Sequence, residues 1–166
     1  QTLQAMAHHF HKLMQWSRYR FSLRDRSPVR FEVRQLFRNS LLPFPDLGER
    51  LQIQGGTGVF LDSDIELLQR ILLQLLDNAL RHSRNLAGSV RLQVKAGNAA
   101  GLVELHVVDD GGGVPETEKA QIFEPFFTTH NLGSGLGLFI ARELCEANGA
   151  SLDLVPEANC GHFILV

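Results

Sequence analysis

Apolar residues recur at two different periods along this chain, and the switches between them mark out its elements. Leu3, Met6, Phe10, Leu13 and Met14 fall at steps of three and four. The stretch TLQAMAHHFHKLMQWSRYR therefore predicts an amphipathic helix whose stripe could extend to Ser17. Ile65, Leu68, Ile71, Leu72, Leu75, Leu76, Ala79 and Leu80 give a wider apolar face. Ser63 with Glu66 three residues on reads as its capping box. Val90–Ala96 and Leu102–Val108 instead alternate apolar and polar residues around GNAAG, which predicts an antiparallel hairpin. Arg50–Gln54 and Gly58–Leu61 read as short strands joined by a Gly55–Gly56 turn, and Ser151–Val155 and His162–Val166 as the final two. A short helix is expected over Glu116–Ile122. A longer one grows out of GSGLGL and ends at the Asn148–Gly149 cap. Pro28 marks a boundary after a charged stretch, and Pro43 and Pro45 interrupt a segment to which the pattern assigns no element. Together these elements predict an α+β, two-layer sandwich with a mixed, mostly antiparallel sheet covered by helices on one face.

Composition narrows what such a fold can do. The chain has 166 residues, enough for one domain with a filled core, and is 44% hydrophobic and 20% charged. Sixteen Lys and Arg against eighteen Asp and Glu leave a net charge of -2. That lacks the basic excess of a protein that neutralises many phosphates, so direct nucleic-acid binding is not expected. Two cysteines, Cys145 and Cys160, imply no disulfide framework and point to a reducing compartment. No apolar run is long enough to span a bilayer, and no signal peptide opens the chain. It begins at Gln1, so a piece of a longer protein is expected.

Candidate chemistry lies in three short motifs in fixed order: LLQLLDNALRHS on the long helix, VVDDGGGVP at a strand end, and FEPFFTTHNLGSGLGL before the next helix. Alone, each has a plain structural reading: a satisfied buried amide at Asn78, a glycine turn, a flexible hinge. Jointly they describe a nucleotide site. Gly133, Gly135 and Gly137 lead into a helix, where backbone N–H groups can converge on an anion. No Lys-Ser or Lys-Thr follows, so this is not a Walker A loop, and GxGxG is not the dinucleotide GxGxxG. Asp109 can accept a hydrogen bond from an exocyclic amine while Gly111 and Gly113 admit a flat ring close to the backbone, a description that adenine fits. Asn78 offers a hard amide oxygen of the kind Mg2+ accepts beside waters and phosphates. The expected cofactors are ATP and Mg2+.

These motifs resemble the catalytic, ATP-binding domain of bacterial sensor histidine kinases, within the wider group that includes gyrase, Hsp90 and MutL. Asn78 lies in what looks like the N box, Asp109–Gly113 in the G1 box, Phe123–Phe127 in the F box and Gly133–Gly137 in the G2 box, over residues 63 to 149. GLFIARELCEANGASLDLVP looks most like the pilus-regulating and nitrogen-regulator sensor kinases. The resemblance implies Asn78 as magnesium ligand and Asp109 as adenine contact. Val114, Phe123, Thr128, Thr129, Gly133, Ser134, Gly135, Leu136, Gly137 and Leu138 would line the nucleotide, with Thr128–Leu136 closing over the phosphates. Arg81 or His82 could approach a phosphate, or could form a solvated helix end. Gln74, one turn before Asn78, stands where gyrase-like ATPases carry a water-activating glutamate, and an amide cannot act as a general base.

An acidic residue follows the phosphoacceptor histidine of such kinases, and none follows any of the seven histidines here. The resemblance therefore implies a protein-histidine kinase fragment whose acceptor sits on a dimerisation domain outside the chain. Residues 1–20 would end a dimerisation helix, 21–49 form a linker and the first catalytic elements, and 50–166 form the ATP-binding core. His8 and His11 share a helical face, but polar helix surface is their default reading over a metal site. A homodimer in the full-length protein, a response-regulator partner and a cytoplasmic position in an inner-membrane sensor are also implied. The competing readings are a degenerate nucleotide-binding or interaction domain and, further off, a gyrase- or Hsp90-type ATPase.

Overall fold

The computed structural model describes residues 2–6, 28–125, 127, 137–155 and 161–165, the last four by backbone only. Residues 3–6 are helical, with the Thr2 hydroxyl accepting from the Ala5 N–H at 3.3 Å; the rest of the expected opening helix lies outside the described residues.

The described residues form seven strands in two sheets. Strand β1 (Val29–Glu32) pairs antiparallel with β3 (Phe60–Ser63) in a two-stranded ribbon. The main sheet runs β2 (Leu51–Gln54), β4 (Val90–Ala96), β5 (Val103–Asp109), β7 (His162–Leu165), β6 (Leu152–Leu154). Its pairs are antiparallel except β2–β4, so the sheet is mixed and mostly antiparallel, as the order of elements predicts. The β4–β5 hairpin has the expected loop and places Val90 opposite Asp109. Asp109 is thus the last paired residue of the central strand.

Helices α1 (Val33–Ser40), α2 (Ile65–His82) and α3 (Gly137–Ala147), with a single 3-10 turn at Gly48–Arg50, complete the described elements. Ile71, Leu72, Leu75 and Leu76 of α2 have no exposed surface, and with Leu36, Phe37, Leu92 and Leu144 they form the core against the sheet. Each such side chain stabilises the fold by about 1.5–3 kcal/mol relative to exposure. Helix α3 ends in a Schellman cap: Ala150 N–H bonds to the Cys145 carbonyl, Gly149 N–H bonds to the Glu146 carbonyl, and Gly149 takes φ +71°. Cys145 lies wholly buried on the inner face of α3, where burial pushes its thiol up to about 12. It is a packing residue.

Three expectations change. The strands at 51–54 and 60–63 do not pair across a Gly55–Gly56 turn but join different sheets. Both glycines adopt positive φ and carry the backbone over Val94, so close that a Cβ on Gly55 would stand 3.0 Å from the Val94 carbonyl. The N-cap of α2 is Asp64, whose Oδ1 accepts from the Leu67 N–H at 3.2 Å; Ser63 ends β3 and accepts from Asn148 Nδ2 at 2.9 Å. A carboxylate also suits the positive helix end. Residues 116–123 form successive turns in place of a helix, with bonds from Glu118, Gln121 and Glu124 each reaching back three residues.

Candidate functional site

One face of α2 organises the site. Gln74, Asn78 and His82 follow one another at one-turn intervals, about 12 Å from first to last. At the first end, Gln74 Oε1 lies 3.0 Å from where a Cβ on Gly137 would stand, so the amide rests on the bare backbone that opens α3. At the far end, a Cβ on Gly111 would run into the His82 carbonyl, so glycine alone lets the bend after β5 close onto α2. Asn78 stands between them, half-buried, and its side chain makes no hydrogen bond to another described residue.

Asp109 is only 2% exposed. Its Oδ1 accepts from the Gly111 N–H at 2.8 Å, and its own N–H donates to the Gly161 carbonyl at 2.8 Å. Burial raises its carboxyl above the ordinary aspartate range; the Gly111 and Gly161 backbone and the nearby His82 pull the other way, and Asp110 adds to the rise. Asp110 has a different task. It accepts from the Arg84 N–H at 2.7 Å and the Ser89 hydroxyl at 2.8 Å, tying the loop after α2 to the sheet, and these bonds hold its carboxyl below the usual range. Gly113 takes φ +76°, the left-handed turn that swings the chain away from Asp109.

Arg81 pairs with Asp77 at 2.7 Å on the exposed flank of α2. Both border a shallow cleft of about 420 Å³ shared with Phe44 and Arg50. Arg81 is thus exposed at the end of α2, as is His82. Val114, Phe123 and Leu138 are half-buried and pack against the core. Thr128, Thr129, Gly133, Ser134, Gly135 and Leu136 lie outside the described residues, as do His8 and His11.

Two contributors escape the motif reading. Gly161 presses against the Asp109 carboxylate, and a Cβ there would collide with Oδ2. A lone glycine opening a strand is its only sequence signal. Arg142 of α3 lays its guanidinium over the Phe123 ring, 4.0 Å from the centroid. Nothing in the sequence pattern joins those two residues.

Residues 63–164 match the family described as histidine kinase-, DNA gyrase B- and HSP90-like ATPases. That span holds well over half of the chain. The chain belongs to this family. Among curated relatives of this ATPase domain, the sensor protein kinase PilS of Pseudomonas aeruginosa is 41% identical over 107 residues, covering 63% of this chain and 20% of PilS. The sensor histidine kinase GtrS of the same organism is 44% identical over 89 residues, covering 52% of this chain and 18% of GtrS. The matched domain thus spans about a fifth of these relatives. The solved catalytic domain of histidine kinase ThkA superposes with a TM-score of 0.67 at 23% identity, covering 84% of this chain and 93% of that one. Full-length ShkA in complex with AMPPNP does so at 0.65 and 27%, covering 85% of this chain and 30% of that one. The α+β fold is that of histidine-kinase catalytic domains. The domain is of the type found in two-component sensors.

Proposed function

We propose that this chain is the kinase core of a two-component sensor. It binds Mg-ATP and presents the γ-phosphoryl group to a histidine of a dimerisation domain in the same protein, for relay to a response regulator. The observation that carries this reading is the layout of α2, with the buried acceptor Asp109 at one end of a two-turn face and the glycine-led N-terminus of α3 at the other. A purine amine at Asp109 and phosphates at α3 would stretch the nucleotide along Asn78.

Asp109 accepts the exocyclic amine, and Gly111 and Gly113 keep the backbone beside the base bare of side chains. Val114 and Phe123 wall the base, while Gly137 and Leu138, with the preceding Gly133–Leu136, surround the phosphates. Asn78 fits a magnesium ion as a single protein ligand. Its amide oxygen is a hard donor without a competing partner among the described residues, and no cluster of three or more His, Cys, Asp or Glu among them could cage a metal. That donor set suits an ion held chiefly by phosphates and water. Magnesium, when bound, neutralises phosphate charge.

Gln74 distinguishes transfer to histidine from hydrolysis. Its amide cannot take a proton from water, and its Oε1 already abuts Gly137. Phosphoryl transfer needs positioning and charge neutralisation more than covalent help from the domain. Residues 1–20 would end a dimerisation helix in a homodimer, and the domain would face the cytoplasm beneath an inner-membrane sensor. No described helix is long and apolar enough to cross a membrane. The test is phosphotransfer: with a phosphoacceptor dimerisation segment supplied, label from γ-labelled ATP should reach its histidine and vanish with Asn78→Ala. No label on an intact acceptor would contradict the proposal.

A further inference from the structure

We propose that Arg142 is a positioning residue that clasps the Phe123 segment to α3 and so sets the N-terminus of α3 against the nucleotide phosphates. The inference rests on the nucleotide reading above and adds a residue to it. Arg142 lies five residues into α3 from Gly137, close to the end where phosphate would bind. Its guanidinium covers the Phe123 ring at 4.0 Å and reaches Asp153 Oδ1 of β6 at 3.4 Å.

The segment carrying Phe123 needs such a hold. Residues 116–123 belong to neither strand nor helix, and the backbone bonds there close only local turns. Phe123 is anchored through its side chain, by core contacts and by the stacked guanidinium. The Asp153 pair is solvent-exposed, with side chains 41% and 65% accessible, so it steers the guanidinium more than it stabilises the fold. The planar stack is the specific part. Lysine keeps the charge but not the flat, forked shape.

Near its start, helix α3 adds two holds to the core packing of Ile140 and Ala141: Gln74 against Gly137, and Arg142 against Phe123. A helix N-terminus binds phosphate through its N–H groups, so its placement decides phosphate affinity. Asp109 stands on β5 and takes no part in this clasp. Base recognition and phosphate recognition should separate when the clasp is removed.

The test is calorimetric titration of the chain with adenosine, ADP and ATP in magnesium buffer, for the parent, Arg142→Ala, Arg142→Lys and Asp153→Ala. Arg142→Ala should weaken ADP and ATP on the order of three- to tenfold. Adenosine affinity should stay within about twofold. Arg142→Lys should recover part of the loss, and Asp153→Ala, which removes the carboxylate that steers the guanidinium, should show the same pattern in smaller measure. Equal weakening for adenosine and ADP, or unchanged ADP binding in Arg142→Ala, would overturn the clasp. If Arg142→Ala does not fold, Arg142→Lys and Asp153→Ala decide the matter by the same comparison. A parent chain that binds neither adenosine nor ADP would remove the nucleotide reading itself, a failure distinct from loss of the clasp.

Discussion

A carboxylate shut away from water destabilises the fold unless something compensates, and Asp109 is compensated only in part. It is 2% exposed, with backbone N–H groups facing it and burial still raising its carboxyl. Its native pKa thus lies above its unfolded one, so the native state holds a proton that the unfolded chain has released. Stability then falls as pH rises from about 4 through the raised value, and levels off above it. In Asp109→Asn this slope should be missing, so the variant gains stability relative to the parent across that window in denaturant titrations at stepped pH. A difference independent of pH would show that Asp109 titrates normally. The same residue should cost the variant its ligand: ATP affinity is expected to drop by about 1–3 kcal/mol, the worth of a spoiled charged hydrogen bond. Gly161→Ala is a second probe of this spot, since the added methyl meets the Asp109 carboxylate. It should lose ATP binding and stability together, read by calorimetry and thermal melting.

Helix α2 links the core to the site. Its inner face is buried at Leu72, Leu75 and Leu76, while Gln74 and Asn78 remain half-buried on another face. Leu75→Ala should cost about 2–5 kcal/mol by leaving a cavity, and Asp64→Ala about 0.5–2 kcal/mol by removing the N-cap, both read from urea unfolding. A larger loss at Ser63 than at Asp64 would restore the capping box that the sequence suggests. The helix itself was legible because eight apolar residues repeat at one period over four turns. Its cap was off by one residue because Ser63 and Asp64 are both good caps, and only the β1–β3 ribbon decides which one is free. Helix α1 was illegible: eight residues hold too few turns to show a period, and Val33, Leu36 and Phe37 declare themselves only by packing on α2. The ribbon was missed because a glycine pair signals a turn without saying which strands it joins. Within the site, Asp109 and Gly111 announced themselves through glycine at a strand end. Gly161 and Arg142 act across 52 and 19 residues of sequence from Asp109 and Phe123, a relation that no local pattern carries.

At the scale of the whole molecule, the chain would supply half of a reaction. The chain would hold the phosphoryl donor, and the acceptor would be carried elsewhere in a longer protein. A hydrolase would need a base near the γ-phosphate, and Gln74 cannot supply one. The chain alone should therefore show negligible steady-state ATP hydrolysis in a phosphate-release assay, and Gln74→Glu is the variant expected to gain it. Rapid turnover by the parent would place it with the hydrolases of its family. The most direct test of the central claim is calorimetric titration with ATP, with and without magnesium, for the parent and Asn78→Ala. Magnesium should tighten ATP binding to the parent, and Asn78→Ala should lose most of this gain while keeping its metal-free affinity. An affinity indifferent to magnesium, or equal losses in both buffers, would contradict it.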